Sequence, residues 1–289
     1  MRYPEWLKKS VPKSANNLRI RQYLDDSIHT VCESALCPNR GECFAEKTVT
    51  FLILGNTCTR RCSFCAIAKA APEPLDMSEP EKVAKAAQKL GLKHVVITSV
   101  TRDDLPDGGA EHFARTIPAV RKVLPSATIE VLTPDFQGNI AALNTVLSAL
   151  PDVFNHNVET VPRLYLDIRP QANYQRSLKI LAQAAASGIL TKSGLMLGLG
   201  ETAEEIKTVF QDLKDHGVKI VTLGQYLAPA KEHYPVQEFI HPDKFIEYKN
   251  YGEKELGLKA VFAGPFVRSS YLAKAVLDDI LKSSKEVFL

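Results

Sequence analysis

The residues best suited to chemistry sit near one end of the chain. Cys32, Cys37, Cys43, Cys58, Cys62 and Cys65 fall in the first quarter of 289 residues, and no cysteine follows. A secreted disulfide scaffold is usually much shorter and spreads its bridges through the fold, so clustering at short spacings points to metal ligation. The second triad, Cys58-Thr-Arg-Arg-Cys62-Ser-Phe-Cys65, has the spacing C-x3-C-x2-C, and the first, Cys32 to Cys43, has C-x4-C-x5-C. Thiolates prefer soft metals and iron–sulfur clusters. A four-iron cluster normally takes four thiolates, so a loop offering three leaves one iron open to another ligand. Zinc is the competing chemistry, but tetrahedral zinc motifs more often show paired C-x2-C units with a fourth Cys or His nearby.

Loops of this kind need a scaffold, and the remaining sequence supplies an α/β one. Residues 48–54 form a nearly continuous apolar run just before Cys58, as expected for a parallel strand buried on both faces. Further strands are expected at 94–100, 128–133, 153–158, 190–197, 219–226 and 259–263. Helical patterns fall between them at 77–90, 111–123, 139–150, 174–186 and 242–256, with another opening at Thr202 and closing at Gly217, and a last one at 271–282. Ser78 with Glu81, and Thr202 with Glu205, have the spacing of capping boxes. Alternation of strand and helix implies a parallel sheet with helices outside. About six strand–helix units favour an α/β partial (β/α)6 TIM-type barrel over residues 48–289, ending in a C-terminal helical segment. Residues 1–47 have weaker periodicity and read as an N-terminal extension packed on the barrel. Functional groups in such folds gather beyond the carboxyl ends of the strands, which is where the Cys58–Cys65 loop lies.

Other residues carry weaker signals. Asn155, Asn157 and Glu159 alternate along the expected strand 153–158, so they should share one face. They would line a polar lumen or be satisfied by strand-end loops. Asp103 and Asp104 follow the second strand and could cap the next turn. Arg176 and Lys192 could meet a carboxylate or lie on the surface. Gly198-Leu-Gly200-Glu-Thr-Ala203 is a strand-to-helix turn that could line a nucleotide pocket. Ser269 or Ser270 reads as the N-cap of the helix that follows.

Composition excludes several classes. Net charge is +3 with 24% charged residues, too mild for a nucleic-acid footprint. No apolar run approaches the roughly 18–20 residues that span a bilayer. The first residues lack the apolar stretch of a signal peptide and the Arg- and Ser-rich character of a transit peptide. A cytoplasmic monomer is the expectation.

The second triad resembles the hallmark of the radical S-adenosylmethionine (SAM) superfamily, C-x3-C-x-aromatic-C, with Phe64 as the aromatic. The first triad just upstream is similar to the auxiliary-cluster motif of lipoyl synthases. The same likeness runs through Pro4-Glu-Trp6-Leu-Lys8, Cys37-Pro38-Asn39, Asn155-His-Asn157-Val-Glu159 and Gly264-Pro-Phe-Val-Arg268-Ser-Ser270-Tyr271. It covers almost the whole chain, with no departure in either triad. The spacing of the first triad, with Arg-Ser-Ser-Tyr, separates the chain from biotin synthases and methylthiotransferases.

The resemblance implies two 4Fe–4S clusters. One, on Cys58, Cys62 and Cys65, would bind SAM through its open iron and cleave it to methionine and a 5′-deoxyadenosyl radical. The other, on Cys32, Cys37 and Cys43 with Ser270 as fourth ligand, would donate sulfur and be consumed. Asn157, Glu159 and Arg176 would contact SAM. The implied reaction inserts sulfur at C6 and C8 of an octanoyl group on a carrier lysine. Implied partners are octanoylated lipoyl carrier domains (2-oxoacid dehydrogenase E2 subunits and the glycine cleavage H protein), an electron donor such as ferredoxin or flavodoxin, and a cluster-repair carrier.

Overall fold

The computed structural model describes residues 3–8, 22–24, 27–46 and 48–271. Beyond Tyr271, the expected C-terminal helical segment lies outside the described residues. One sheet runs through the molecule in the order β1 to β8 without closing on itself. Its strands are β1 (His29–Thr30), β2 (Thr50–Ile53), β3 (His94–Ser99), β4 (Thr128–Leu132), β5 (Val153–Asn155), β6 (Leu190–Leu197), β7 (Ile220–Gln225) and β8 (Ala260–Gly264). Seven strands, β2 to β8, are parallel. All seven were expected, and the six crossovers between them give the open (β/α)6 barrel. β1 is an addition, pairing antiparallel to β2 through His29 opposite Leu52.

Short helices α1 (Val31–Ser34) and α2 (Arg40–Ala45) follow β1, and the crossovers carry α3 (Glu79–Leu90), α4 (Ala110–Val123), α5 (Ile140–Ser148), α6 (Tyr165–Ile168), α7 (Tyr174–Ala186), α8 (Ala203–Asp215) and α9 (Pro242–Asn250). The N-terminal segment shares the barrel's apolar core, with Ile28, Cys32 and Phe44 buried in one cluster with Phe51 and Leu52. The Thr202 box forms as expected, its hydroxyl accepting from Glu205 N while the Glu205 carboxylate accepts from Thr202 N. The Ser78 box does not. Ser78 has helical backbone angles (φ −95°, ψ −4°) instead of the extended ones of a capping residue, and its hydroxyl donates to Asp76 at 2.6 Å. The helix expected to run to 256 changes pitch at Asn250 into a π-helical turn, Tyr251–Glu255. Gly252 packs there where a Cβ would lie 2.6 Å from Val261 Cγ2.

β5 is shorter than expected, ending at Asn155. His156 N still bonds to Lys192 O of β6, but Glu159 then turns into the left-handed region at φ +64°. No described helix is long and apolar enough to cross a membrane.

Candidate active site

Two glycines open the barrel's mouth. On β6, a Cβ at Gly194 would lie 2.5 Å from Thr222 Oγ1 and 3.0 Å from Asn157 Oδ1. On β7, a Cβ at Gly224 would collide with the Val267 carbonyl oxygen, so the chain after β8 can lie directly across the strand. The resulting cavity, about 540 Å³, sits at the carboxyl ends of the strands. Cys58, Cys62 and Cys65 line one part of it, and Cys32, Cys37 and Cys43 another. Ser270, more than 200 residues from the first triad in sequence, lines it too. Leu52, Leu132, Met196 and Phe64 contribute apolar wall.

The Cys58–Cys65 loop is stapled on both sides. Thr59 N and Oγ1 both donate to Thr101 O, at 3.1 and 2.9 Å, and Thr59 Oγ1 accepts from Asp103 N at 3.1 Å. Arg60 is buried, donating twice to Asp103 (2.7 and 2.9 Å) and once to Asp135 (2.6 Å). On the other side Ser63 N donates to Ile168 O, and Arg61 N donates to Gln171 Oε1. Thus Asp103 orients the cysteine loop rather than capping a turn, while Asp104 binds Arg102 at 2.9 Å. Asp135 is followed by three residues at positive φ, Phe136 (+45°), Gln137 (+53°) and Gly138 (+82°). Strain of this kind persists only where its surroundings over-determine it.

The site fits anionic sulfur ligands. Cys58 Sγ accepts from Thr101 N at 3.3 Å and from Arg60 N at 3.5 Å, and amide donors to sulfur are one means by which proteins tune cluster thiolates. Burial pushes the Cys65 thiol up to about 12, the Cys32 thiol up to about 11, and the Cys62 thiol upward. Thiolates in such positions need a bound cation to be stable. All six cysteines are free of disulfides. Among the described residues, no three His, Cys, Asp or Glu side chains converge on a single ion; a four-iron cluster takes each thiolate on a separate iron.

Arg169, which the sequence reading did not single out, is buried on the cavity wall. It donates to Asn157 O (3.0 Å) and Val158 O (3.1 Å), its Nε has no hydrogen-bond partner, and among the described residues it pairs with no carboxylate. Its charge acts on Cys62 and on Glu159. Glu159 lines the cavity, held by backbone bonds to Gly194 O and from Met196 N. Burial pushes its carboxyl up, against the opposing pull of Arg169, Asn157 and Arg268.

The alternating trio lies on the inner side of the barrel as expected, but at two depths. Asn157 and Glu159 face the cavity, but Asn155 lies among the polar groups of the barrel interior, donating to Glu130 at 3.0 Å. Lys192 is neither a surface charge nor a cavity residue, since it is fully buried with Nζ 2.9 Å from Glu130 Oε1. Arg176 is half-buried against Asp135 at 3.4 Å and does not line the cavity. The Gly198–Ala203 turn also stands apart, its amides at Gly198 and Leu199 bound by Glu201. Ser269 accepts from Asn157 Nδ2 at 2.6 Å. No sequence signal distinguished Arg169. Arg60 was visible inside the cysteine motif and Asp103 after the second strand, but neither their pairing nor Asp135 was.

Residues 52–213 match the Radical SAM superfamily. Lipoyl synthase from Caldanaerobacter subterraneus subsp. tengcongensis is 55% identical over 276 residues, covering 94% of this chain and 96% of its own. Lipoyl synthase from Oleidesulfovibrio alaskensis is 55% identical over 280 residues, covering 96% of each. The fold is similar to Streptococcus suis SuiB bound to S-adenosylmethionine (TM-score 0.60, 12% identity, 73% of this chain and 49% of that one). It is also similar to coproporphyrinogen III oxidase, HemN, from Escherichia coli, a radical SAM enzyme (TM-score 0.50, 12% identity, 71% and 51%). The chain spans about half the length of these two solved enzymes, and the likeness to them is one of fold. Superfamily match and near-full-length identity together show that the chain belongs to the lipoyl synthase family of radical SAM enzymes, whose chemistry implies SAM, a four-iron cluster and protein-bound octanoyl substrates.

Proposed function

We propose that this enzyme inserts two sulfur atoms, at C6 and C8, into an octanoyl group borne on a lysine of a lipoyl carrier protein. The observation that carries this reading is the shared cavity, which both cysteine triads and Ser270 line. Cys58, Cys62 and Cys65 are assigned to the SAM-binding cluster, and Cys32, Cys37, Cys43 and Ser270 to an auxiliary cluster. When bound, these groups and SAM supply a carbon radical able to attack unactivated C–H bonds, together with the sulfur that replaces the hydrogen. The chain's own residues position and exclude. Arg60, held by Asp103 and Asp135, fixes the SAM-side loop, and Arg169 sets a cation beside Cys62. Leu52, Leu132 and Met196 offer an aliphatic chain an apolar wall and keep water from reactive carbon. Asn157 and Glu159 are assigned to the SAM side. Phe64 is assigned there as well. Arg176 acts at one remove, supporting Asp135 and through it Arg60.

A serine oxygen is a harder ligand than a thiolate and holds cluster iron less firmly, which suits a cluster that gives up sulfur. The proposed partners are octanoylated E2 subunits and H protein, a ferredoxin- or flavodoxin-type reductant and a carrier that rebuilds the auxiliary cluster. The proposed setting is the cytoplasm, with the enzyme acting as a monomer.

Anaerobic reconstitution with SAM, dithionite and an octanoyl-lysyl peptide tests this. Wild type should bind about eight irons and each triad-to-Ala variant about half. Cys62→Ala should abolish SAM cleavage, whereas Cys37→Ala should still release 5′-deoxyadenosine without adding sulfur to the peptide. Saturation near four irons, or brisk SAM cleavage by Cys62→Ala, would overturn the assignment.

A further inference from the structure

Residues 265–271 form a strap across the barrel mouth, and their anchors lie on different parts of the cavity. On β7, Gln225 N donates to Pro265 O at 3.2 Å, and the bare Cα of Gly224 makes room for Val267 O. Toward the first cysteine triad, Asn39 Nδ2 donates to Phe266 O at 2.6 Å and Tyr271 OH donates to Glu42 Oε1 at 2.8 Å. A further anchor reaches the opposite wall. Asn157 Nδ2 donates to Ser269 Oγ at 2.6 Å and to Glu159 Oε1 at 3.1 Å. Both hydrogens of one amide are thereby spent on a carboxylate and on a hydroxyl 112 residues away.

Asn157 is itself closely held. Its carbonyl accepts from Arg169 at 3.0 Å, and its Oδ1 occupies space that Gly194 leaves by having no side chain. Glu159, its other partner, sits at φ +64° with its backbone bonded to β6 through both N–H and C=O. A side chain fixed at this end cannot follow the strap if the strap shifts.

We infer that Ser269 is a positioning residue: through Asn157 it ties the strap bearing Ser270 to the Glu159 side of the cavity and keeps the two halves of the site in register during sulfur insertion. This rests on the assignment of Ser270 to the auxiliary cluster and of Asn157 and Glu159 to the SAM side. The simpler role for Ser269, capping a following helix, gives the hydroxyl a different task. Here the hydroxyl faces Asn157.

The register matters because a radical formed on one side must meet sulfur on the other, and misplacement by about 1 Å can cost on the order of 100-fold in rate. Losing the tie therefore separates the two half-reactions. SAM is still cleaved, but fewer cleavages end in a C–S bond.

The test uses the reconstituted full-length enzyme with SAM, dithionite and an octanoyl-lysyl peptide, comparing wild type with Ser269→Ala, Ser269→Gly and Ser269→Thr. Iron content and the low-temperature EPR spectrum of the reduced clusters are read alongside the ratio of 5′-deoxyadenosine to sulfur-bearing peptide. Ser269→Ala and Ser269→Gly should keep both clusters and the SAM-induced change in the EPR spectrum, while the ratio rises about tenfold or more in both. Ser269→Thr, which retains the hydroxyl, should stay closer to wild type. In an Asn157→Ala background, Ser269→Ala should add little further change.

A helix cap would behave differently: Ala would lower the melting temperature more than Gly, with the ratio at its wild-type value in both. That result would overturn the inference, as would an equally large Ser269→Ala effect with and without Asn157. If wild type itself lacks a second cluster, the functional assignment fails instead, and iron content reveals that before any variant is compared.

Discussion

Replacing Lys192 with methionine should destabilise the barrel while sparing SAM binding. Lys192 Nζ lies 2.9 and 3.1 Å from the two Glu130 oxygens, and the side chains are 1% and 2% exposed. Asn155 donates to the same carboxylate and His94 Nε2 stands 3.6 Å away. Burial alone would raise the Glu130 carboxyl, but Lys192 and His94 more than reverse this and hold it at about 2. Removing one partner of a buried pair costs about 3–5 kcal/mol, chiefly because the other charge stays buried. Unfolding entropy of about 2.1 cal/mol/K per residue gives roughly 0.6 kcal/mol/K for this chain, so the melting temperature should fall by about 5–8 °C.

The pH dependence has a definite sign. In wild type the depressed Glu130 pKa contributes stability that is complete above its unfolded value and is lost as pH falls through the folded one. In Lys192→Met the carboxyl loses its main counter-charge and burial raises its pKa, so the deficit is greatest near neutrality and shrinks on acidification. Exchanging both partners, Lys192→Met with Glu130→Leu, should recover most of the loss, since apolar replacements of buried pairs are often neutral or stabilising. Anaerobic thermal melts from pH 5 to 8 with parallel SAM titrations provide the assay. A Lys192→Met enzyme with wild-type melting temperature but poor SAM affinity would refute the reasoning and return Lys192 to the cavity.

Ser270→Cys should keep two clusters and cleave SAM, yet give a sharply lower single-turnover yield of lipoyl peptide because a thiolate holds iron more firmly; normal yield would remove Ser270 from its assigned role. Arg60→Met should cost about 3 kcal/mol, the low end for a broken buried pair, because Arg176 still faces Asp135 at 3.4 Å. The same variant should lose its SAM-side cluster faster to a chelator, and unchanged melting temperature and cluster lifetime would show the clamp to be idle.

Cysteine spacing, buried parallel strands and the Thr202–Glu205 cap were legible in the sequence because each depends on residues close along the chain. The run 48–54 places a strand directly before the Cys58–Cys65 loop, and β2 occupies Thr50–Ile53 within it. The antiparallel β1 was not legible, since two residues carry no period. Alternation at Asn155, Asn157 and Glu159 marked the inner side of the barrel but not the depth: Asn155 bonds to Glu130 in the barrel interior while Asn157 and Glu159 line the cavity, and β5 itself stops at Asn155.

The sequence by itself determined which atoms could ligate soft metal and which strand would carry them. Only the tertiary structure decided which distant groups meet. Sheet register set Asn155 of β5 opposite Lys192 of β6, and burial then required that ammonium to find Glu130. Gly194 and Gly224 let Asn157 and the strap approach where any side chain would collide, bringing Ser269 to Asn157 and Ser270 into the cavity lined by the first triad. Such pairings depend on packing between elements far apart in the chain, and a charged or polar side chain carries no local mark of the partner that burial will demand.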